Sequence, residues 1–415
     1  MKEKVKALWK LCFDDSDQFI DMYFRLRYKS EINVVIESGN EVISALQMLP
    51  YPMSFCGKQV ATSYISGACT HPDFRNRGVM RQLLSQAFAR MLPNGIFFST
   101  LIPANPWLFD YYARIGYAPV FQYSTKEIIL PEFIPSKEIK VDIVSEYKEE
   151  VYSYLNKKLA ERPCCIQHTT EDFEVIMADL AISNGILLVA KLNNEINGIA
   201  IVYKRDESVI INELLVETKD AEHSLLFHLK QHTGCNRMIQ LLPPDKKRPQ
   251  QALGMARIIN AKEVLQLYAA TFPEDEMQIE VSDKQLSVNN GYYYLCKGKC
   301  MYSTERLPGA HIQMNITELT NRILQPLNPY MSLKVTILFI QITYPFTSCQ
   351  QKCSHSKIGS RISIYYLSRY SLFADRLYIT DFPIRLKGNC YQILPCFFNY
   401  RLIFAGIQET VINSP

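Results

Sequence analysis

Long apolar runs are missing from this 415-residue chain. The nearest, VTILFIQITY at 335–344, is too short for a membrane span, which takes about 20 residues. The first residues, MKEKVKALWKLCFDD, hold no apolar stretch of the kind an export leader requires, so none is expected. Net charge is nearly absent as well: 45 Lys and Arg face 41 Asp and Glu, a balance of +4 that argues against a general nucleic-acid binder. Paired cysteine spacing is lacking. Twelve cysteines without it, and without an export leader, point to reduced thiols and a cytoplasmic location. A chain this long exceeds one compact core, and two or three domains are expected.

Acids are scarce in one region. Residues 334–415 carry nine basic side chains against three acidic ones, and their composition shifts abruptly towards Ile, Tyr, Ser, Cys and Arg. This anomalous basic tail reads as frameshifted or read-through coding rather than as an evolved domain. Metal-ligand sets are also incomplete. His223, His228 and His232 share one predicted helix without a carboxylate or cysteine to complete a site. Cys349, Cys353 and His355 find no matching pair in Cys390 and Cys396. Cys164 and Cys165, beside Pro163, read as loop residues. No metal is expected.

What is present is an ordered alternation. Residues 5–29 read as helix. INVVIE, VISALQMLPYPMSF and VATSYISGACT read as three strands joined by turns, followed by a helix in which Leu83, Leu84, Ala87, Phe88 and Met91 fall at helical spacing. GIFFSTLIP is a further strand and NPWLFDYYARIGY a short helix closed by Gly116. Residues 186–232 repeat the order strand–turn–strand–turn–strand–helix, but the second junction, VETKDAEH, has neither glycine nor arginine. A third unit follows: ARIINAKEVLQLYAA reads as helix, MQIEVSDKQLSVNNGYYYLCKGKCMYS as two or three strands, and NITELTNRIL as a helix capped by Asn315 or Thr317.

The first junction, HPDFRNRGVM, is where chemistry concentrates. A helix N-terminus offers unpaired N–H groups and partial positive charge, Gly78 allows close approach, and Arg75 and Arg77 add donors suited to a pyrophosphate. On these residues alone the junction is either an anion-binding loop or a solvated helix start.

RNRGVM after GACTHP resembles the pyrophosphate loop of the GNAT N-acetyltransferases, written Gln/Arg-x-x-Gly-x-Gly/Ala, with Arg75 and Gly78 matching and Met80 replacing the last small residue. NPWLFDYYARIGY resembles the family's second signature. Residues 1–333 as a whole are similar to the Eis-like (enhanced intracellular survival) branch. The resemblance implies an α/β plus α+β chain: a GNAT acetyl-CoA-binding domain at 1–130, a degenerate GNAT-like domain without a cofactor loop at 138–252, and a small sterol-carrier-like α+β domain at 253–333.

The resemblance further implies transfer of acetyl from acetyl-CoA to a small or polycationic amine by direct attack, with no nucleic-acid or membrane partner and a homo-oligomeric state. It assigns cofactor binding to Ala68, Cys69 and Thr70, to Arg75, Asn76, Arg77, Gly78, Val79, Met80 and Arg81, and to Asn105, Trp107 and Leu108. Tyr112 aligns with the family's tyrosine acid, the other reading of that side chain being core packing. The family's base is the terminal carboxylate, from which this chain departs, since PYMSL at 329–333 is followed by the tail. A non-catalytic acyl-CoA sensor or small-ligand carrier on the same scaffold is the alternative, and a thiol-release assay separates the two.

Overall fold

The computed structural model describes residues 1–129, 135–205 and 208–324. The expected tail at 334–415 and the terminal carboxylate lie outside the described residues.

The first residues form two helices, not one: α1 (Lys2–Cys12) and α2 (Asp17–Leu26). Phe13 turns to extended backbone, and the Ser16 side chain accepts from Phe19 N to start the second helix. This break lets the Trp9 indole reach back 2.7 Å to the Asp15 carboxylate.

Strands β1 (Asn33–Ser38), β2 (Glu41–Phe55) and β3 (Lys58–Thr70) form an antiparallel meander. Then come α3 (Val79–Met91), β4 (Phe98–Leu101), α4 (Trp107–Ala113) and β5 (Ala118–Ile129). After β6 (Ile139–Val144), α5 (Glu149–Ala160) and α6 (Thr170–Ile182), a second meander runs through β7 (Gly185–Leu192), β8 (Glu195–Arg205) and β9 (Ser208–Val216). It continues into α7 (Lys219–Thr233), β10 (Arg237–Leu242) and β11 (Gln250–Ile258).

These strands make one eleven-stranded sheet of order β1-β2-β3-β4-β11-β5-β10-β9-β8-β7-β6. The two repeats exchange their last strands. β11, from the second repeat, pairs with β4 of the first, and β5, from the first, pairs with β10 of the second. Residues 256–258, expected as the start of a helix, are therefore extended in mid-sheet. ARII, its Arg257 included, is buried on both faces and so shows no alternation that would separate a strand from a buried helix.

The chain then forms α8 (Ala261–Thr271), β12 (Met277–Ser282), β13 (Gly291–Cys296), β14 (Lys299–Ser303), β15 (Ile312–Asn315) and α9 (Ile316–Leu324). Its four strands are ordered β14-β13-β12-β15. Of the two expected caps for α9, Asn315 is the one used: its side chain accepts from Glu318 N at 3.0 Å, while Thr317 donates to Ala113 O at 3.2 Å. That second bond ties α9 to the end of α4, and Thr320 caps the amide of Ile258 in β11 at 3.2 Å. One apolar cluster runs from β2, β3 and β5 through β11 into α8, α9 and β12.

Among the described residues, no helix is long and apolar enough to cross a membrane.

Candidate acyl-transfer site

The site is built where β3 and β4 part. They pair in parallel only from Thr62–Tyr64 to Phe98–Thr100, after which β3 runs on to Thr70 with β2 alone beside it. A bulge sits in this free stretch, between the pairs Gln47–Ser66 and Ala45–Cys69. Gly67 in the bulge has φ +59°, and a Cβ there would overlap the Trp9 ring. The consequence is a strand edge, Ala68 to Thr70, whose backbone is open to a cleft.

The next element presents the end of α3. Gly78 is its N-cap at φ +76°, no side chain caps the helix, and no acid occupies its first turn. The amides at that end are left to a ligand. Space above Gly78 is open; the nearest atom to a Cβ built there is an Arg81 guanidinium nitrogen at 3.6 Å. Arg75 donates through Nε to Thr70 O at 3.2 Å, which ties the loop to the end of β3 and leaves the terminal guanidinium nitrogens to face the cleft.

The cleft has a volume of about 1060 Å³. Ala68, Cys69 and Thr70 line one side, and Arg75, Asn76, Gly78, Val79, Met80 and Arg81 the next. Trp107, Leu108 and Tyr112 of α4 stand opposite. Two expected residues do not line it. Arg77 places its guanidinium 5.5 Å from the ring of Phe74, which does line the cleft, and Asn105 serves the backbone instead, its carbonyl accepting from Leu108 N at the start of α4.

Sequence reasoning missed several lining residues, among them Cys12 and Phe13 at the end of α1, Arg114 beyond α4, and Lys284 and Gln285 after β12. Arg114 sits inside the NPWLFDYYARIGY stretch and could have been found there. Lys284, some two hundred positions along, leaves no local signal. Among the described residues, Arg75, Arg81, Arg114 and Lys284 give the cleft four cations, and no Asp or Glu lines it. A ligand with several negative charges fits such a wall.

Tyr112 is 8% exposed and held edge-on by the rings of Tyr111 and Tyr117, at 5.3 and 5.7 Å. Burial, reinforced by those two tyrosines, pushes its hydroxyl above the usual tyrosine range. Tyr112 also lines a second, smaller cavity beyond the bulge, walled by Trp9, Phe19 and Tyr23, with Asp15 at its edge. The tyrosine thus stands between an electropositive cleft and an aromatic pocket bearing a carboxylate. Nearby, the Cys12 thiol is held below its usual range by a hydrogen bond with Cys69 and by the charge of Arg75. That same bond, and then burial, push the Cys69 thiol up.

The second repeat lacks this chemistry for a visible reason. At the β9–α7 junction the Thr218 side chain accepts from Ala221 N at 3.2 Å, and Asp220 and Glu222 occupy the first turn. An N-terminus that is capped and acidic repels phosphate. Among the described residues no group of three or more His, Cys, Asp or Glu could hold a metal ion. His228 instead meets Ser224 O at 2.8 Å. Cys164 and Cys165 are fully buried, whereas Cys349, Cys353, His355, Cys390 and Cys396 lie outside the described residues.

Residues 2–120 match the model of the acetyltransferase (GNAT) domain family. No curated protein matches the chain in sequence. A probable N-acyltransferase from Enterococcus faecalis, described as a conserved protein of unknown function, superposes with TM-score 0.63 at 15% identity, over 80% of this chain and 95% of the other. Eis1 from Mycobacterium abscessus gives 0.61 at 13% identity, over 78% and 86%. A GCN5-related N-acetyltransferase from Anabaena variabilis gives 0.61 at 17% identity, over 83% and 95%.

Proposed function

With residues 2–120 a GNAT acyltransferase domain in an Eis-like fold, we propose that the chain moves acetyl from acetyl-CoA to the amine of a small molecule, at the cleft between β3, α3 and α4. GNAT domains use acetyl-CoA as co-substrate. The observation that carries the reading is the pairing of an uncapped α3 N-terminus with four cations and, among the described residues, no lining Asp or Glu. The amides around Gly78, with Arg75 and Arg81, would hold the pyrophosphate. The backbone of Ala68 to Thr70 lines the cleft, with the Thr70 carbonyl already taken by Arg75 Nε; its N–H groups would bond the pantetheine and polarise the thioester carbonyl.

The aromatic pocket supplies the approach for the amine. Asp15 at its edge attracts a cationic substrate, and Trp9, Phe19 and Tyr23 desolvate it. A neutral amine attacks the carbonyl directly, the tetrahedral adduct loses its extra N–H proton to water in the open cleft, and the C–S bond breaks as the sulfur leaves towards Tyr112. A free tyrosine at about 10 against a thiol at about 8.5 makes complete proton transfer uphill by about 2 kcal/mol, and burial of Tyr112 steepens that slope. Tyr112 therefore acts first as a hydrogen-bond donor to the departing sulfur and gives up its proton only as the sulfur takes on full charge.

Calorimetric titration with acetyl-CoA tests the placement. Arg75→Ala weakens binding by about tenfold or more, as loss of a charge-assisted contact worth about 1.5–3 kcal/mol requires, and Gly78→Val weakens it by filling the open space over the helix start at a backbone φ of +76°. Unchanged affinity in both folded variants removes the loop from the site.

A further inference from the structure

The cation on the cleft wall that comes from outside the GNAT domain is Lys284, in the turn after β12. The turn is firmly held. Asp283, fully buried, receives the Arg257 guanidinium at 2.6 and 2.8 Å and accepts from Gln285 N, Leu286 N and Asn289 Nδ2 at 2.9, 3.2 and 2.9 Å. Arg257 also donates to Ile115 O at 2.5 Å and lies 4.5 Å from the Phe88 ring of α3. Ser85 of α3 donates to Gln285 Oε1 at 2.5 Å, and Leu286 packs in the same apolar cluster as Leu83 and Leu84.

Lys284 stands on this fixed platform with its side chain exposed, and no hydrogen bond or ion pair to it is found among the described residues. Its neighbour contacts residue 85, seven positions past Gly78 and so about 10 Å along the helix axis at about 1.5 Å per residue. Arg75 and Arg81 serve the other end: the first is tied to Thr70 O, the second folds back over Gly78.

A pyrophosphate at the α3 N-terminus leaves one cation of the third unit displaced along the helix flank. CoA carries a second anionic group, the 3′-phosphate of its ribose, separate from the pyrophosphate. We propose that Lys284 binds this 3′-phosphate, so that the unit after β11 completes the co-substrate site and lets the protein distinguish CoA from 3′-dephospho-CoA. The proposal rests on acetyl-CoA being the acyl donor. An ammonium is suited to the role, being a compact point charge that needs no fixed angle of approach.

The test is calorimetric titration of the full chain with CoA and with 3′-dephospho-CoA. The native chain binds CoA about tenfold more tightly, a difference of about 1.4 kcal/mol. Lys284→Gln brings the ratio close to one by weakening CoA while leaving 3′-dephospho-CoA unchanged, and Lys284→Arg keeps most of the preference. A native chain that binds both equally, or a Lys284→Gln variant that keeps the native ratio, overturns the assignment. Loss of the preference in Arg114→Gln but not in Lys284→Gln overturns it too and moves the contact to the opposite wall. A native chain that binds neither compound overturns the acetyl-CoA reading itself, a different result.

Discussion

Tyr112 faces both cavities, and its neighbour Tyr111 faces the larger one alone. If Tyr112 stabilises the leaving sulfur, Tyr112→Phe lowers turnover by about 100-fold, the low end of the range for a positioned acid, while acetyl-CoA affinity changes little. Tyr111→Phe retains turnover within about threefold. Steady-state kinetics on both variants checks this, and equal turnover in the two removes Tyr112 from the chemistry. The direction of its pKa shift adds a pH signature. An acid works while protonated, and burial raises Tyr112 above its ordinary value of about 10, so its titration contributes no fall in rate below about pH 10. At this scale the places of Arg75, Gly78 and Tyr112 on the cleft wall were legible because they are set by near neighbours: a strand end, a helix start, a short helix. Arg77 has the same chemistry as Arg75 two positions away, yet stacks on Phe74 and does not itself line the cleft; sequence gives no means of telling which of the two does.

The bulge in β3 is the element that opens the cleft, and it depends on one position. Gly67 combines φ +59° with the Trp9 ring lying where a side chain would go. Gly67→Ala therefore destabilises by about 1–3 kcal/mol through overpacking and backbone strain. Denaturant unfolding measures it, and a change below about 0.5 kcal/mol would show that the bulge relaxes without loss. The meanders and the helices after them were legible because alternation and helical spacing are local patterns. The break between α1 and α2 was overlooked although FDDSD carries its capping serine. The strand at 250–258 was read partly as helix because a stretch buried on both faces, Arg257 included, has lost the period that distinguishes the two.

At the scale of the molecule, the exchange of β5 and β11 makes the repeats interdependent. A chain cut at residue 130 leaves β4 without its β11 partner and β5 without either neighbour, so two apolar edges face solvent. Residues 1–130 alone are expected to aggregate and to bind no CoA. A folded monomer of that piece by sedimentation, with acetyl-CoA affinity like that of the full chain, would contradict this. No sequence feature announces the exchange, since β5 and β11 are both apolar end strands and either could fill either place. The same holds for Lys284, which reaches the cleft only because Arg257 and Asp283 fix the turn that carries it.

The central claim, that the cleft transfers acetyl from acetyl-CoA to an amine, is tested most directly by thiol release. The full chain is mixed with acetyl-CoA and a panel of small mono- and polyamines, and free CoA thiol is followed with time. Amine-dependent release that falls sharply in Tyr112→Phe and stays within about threefold of native in Tyr111→Phe is the predicted result. Tight acetyl-CoA binding with no release above the uncatalysed rate for any amine would contradict the account and leave a protein that holds the thioester without using it.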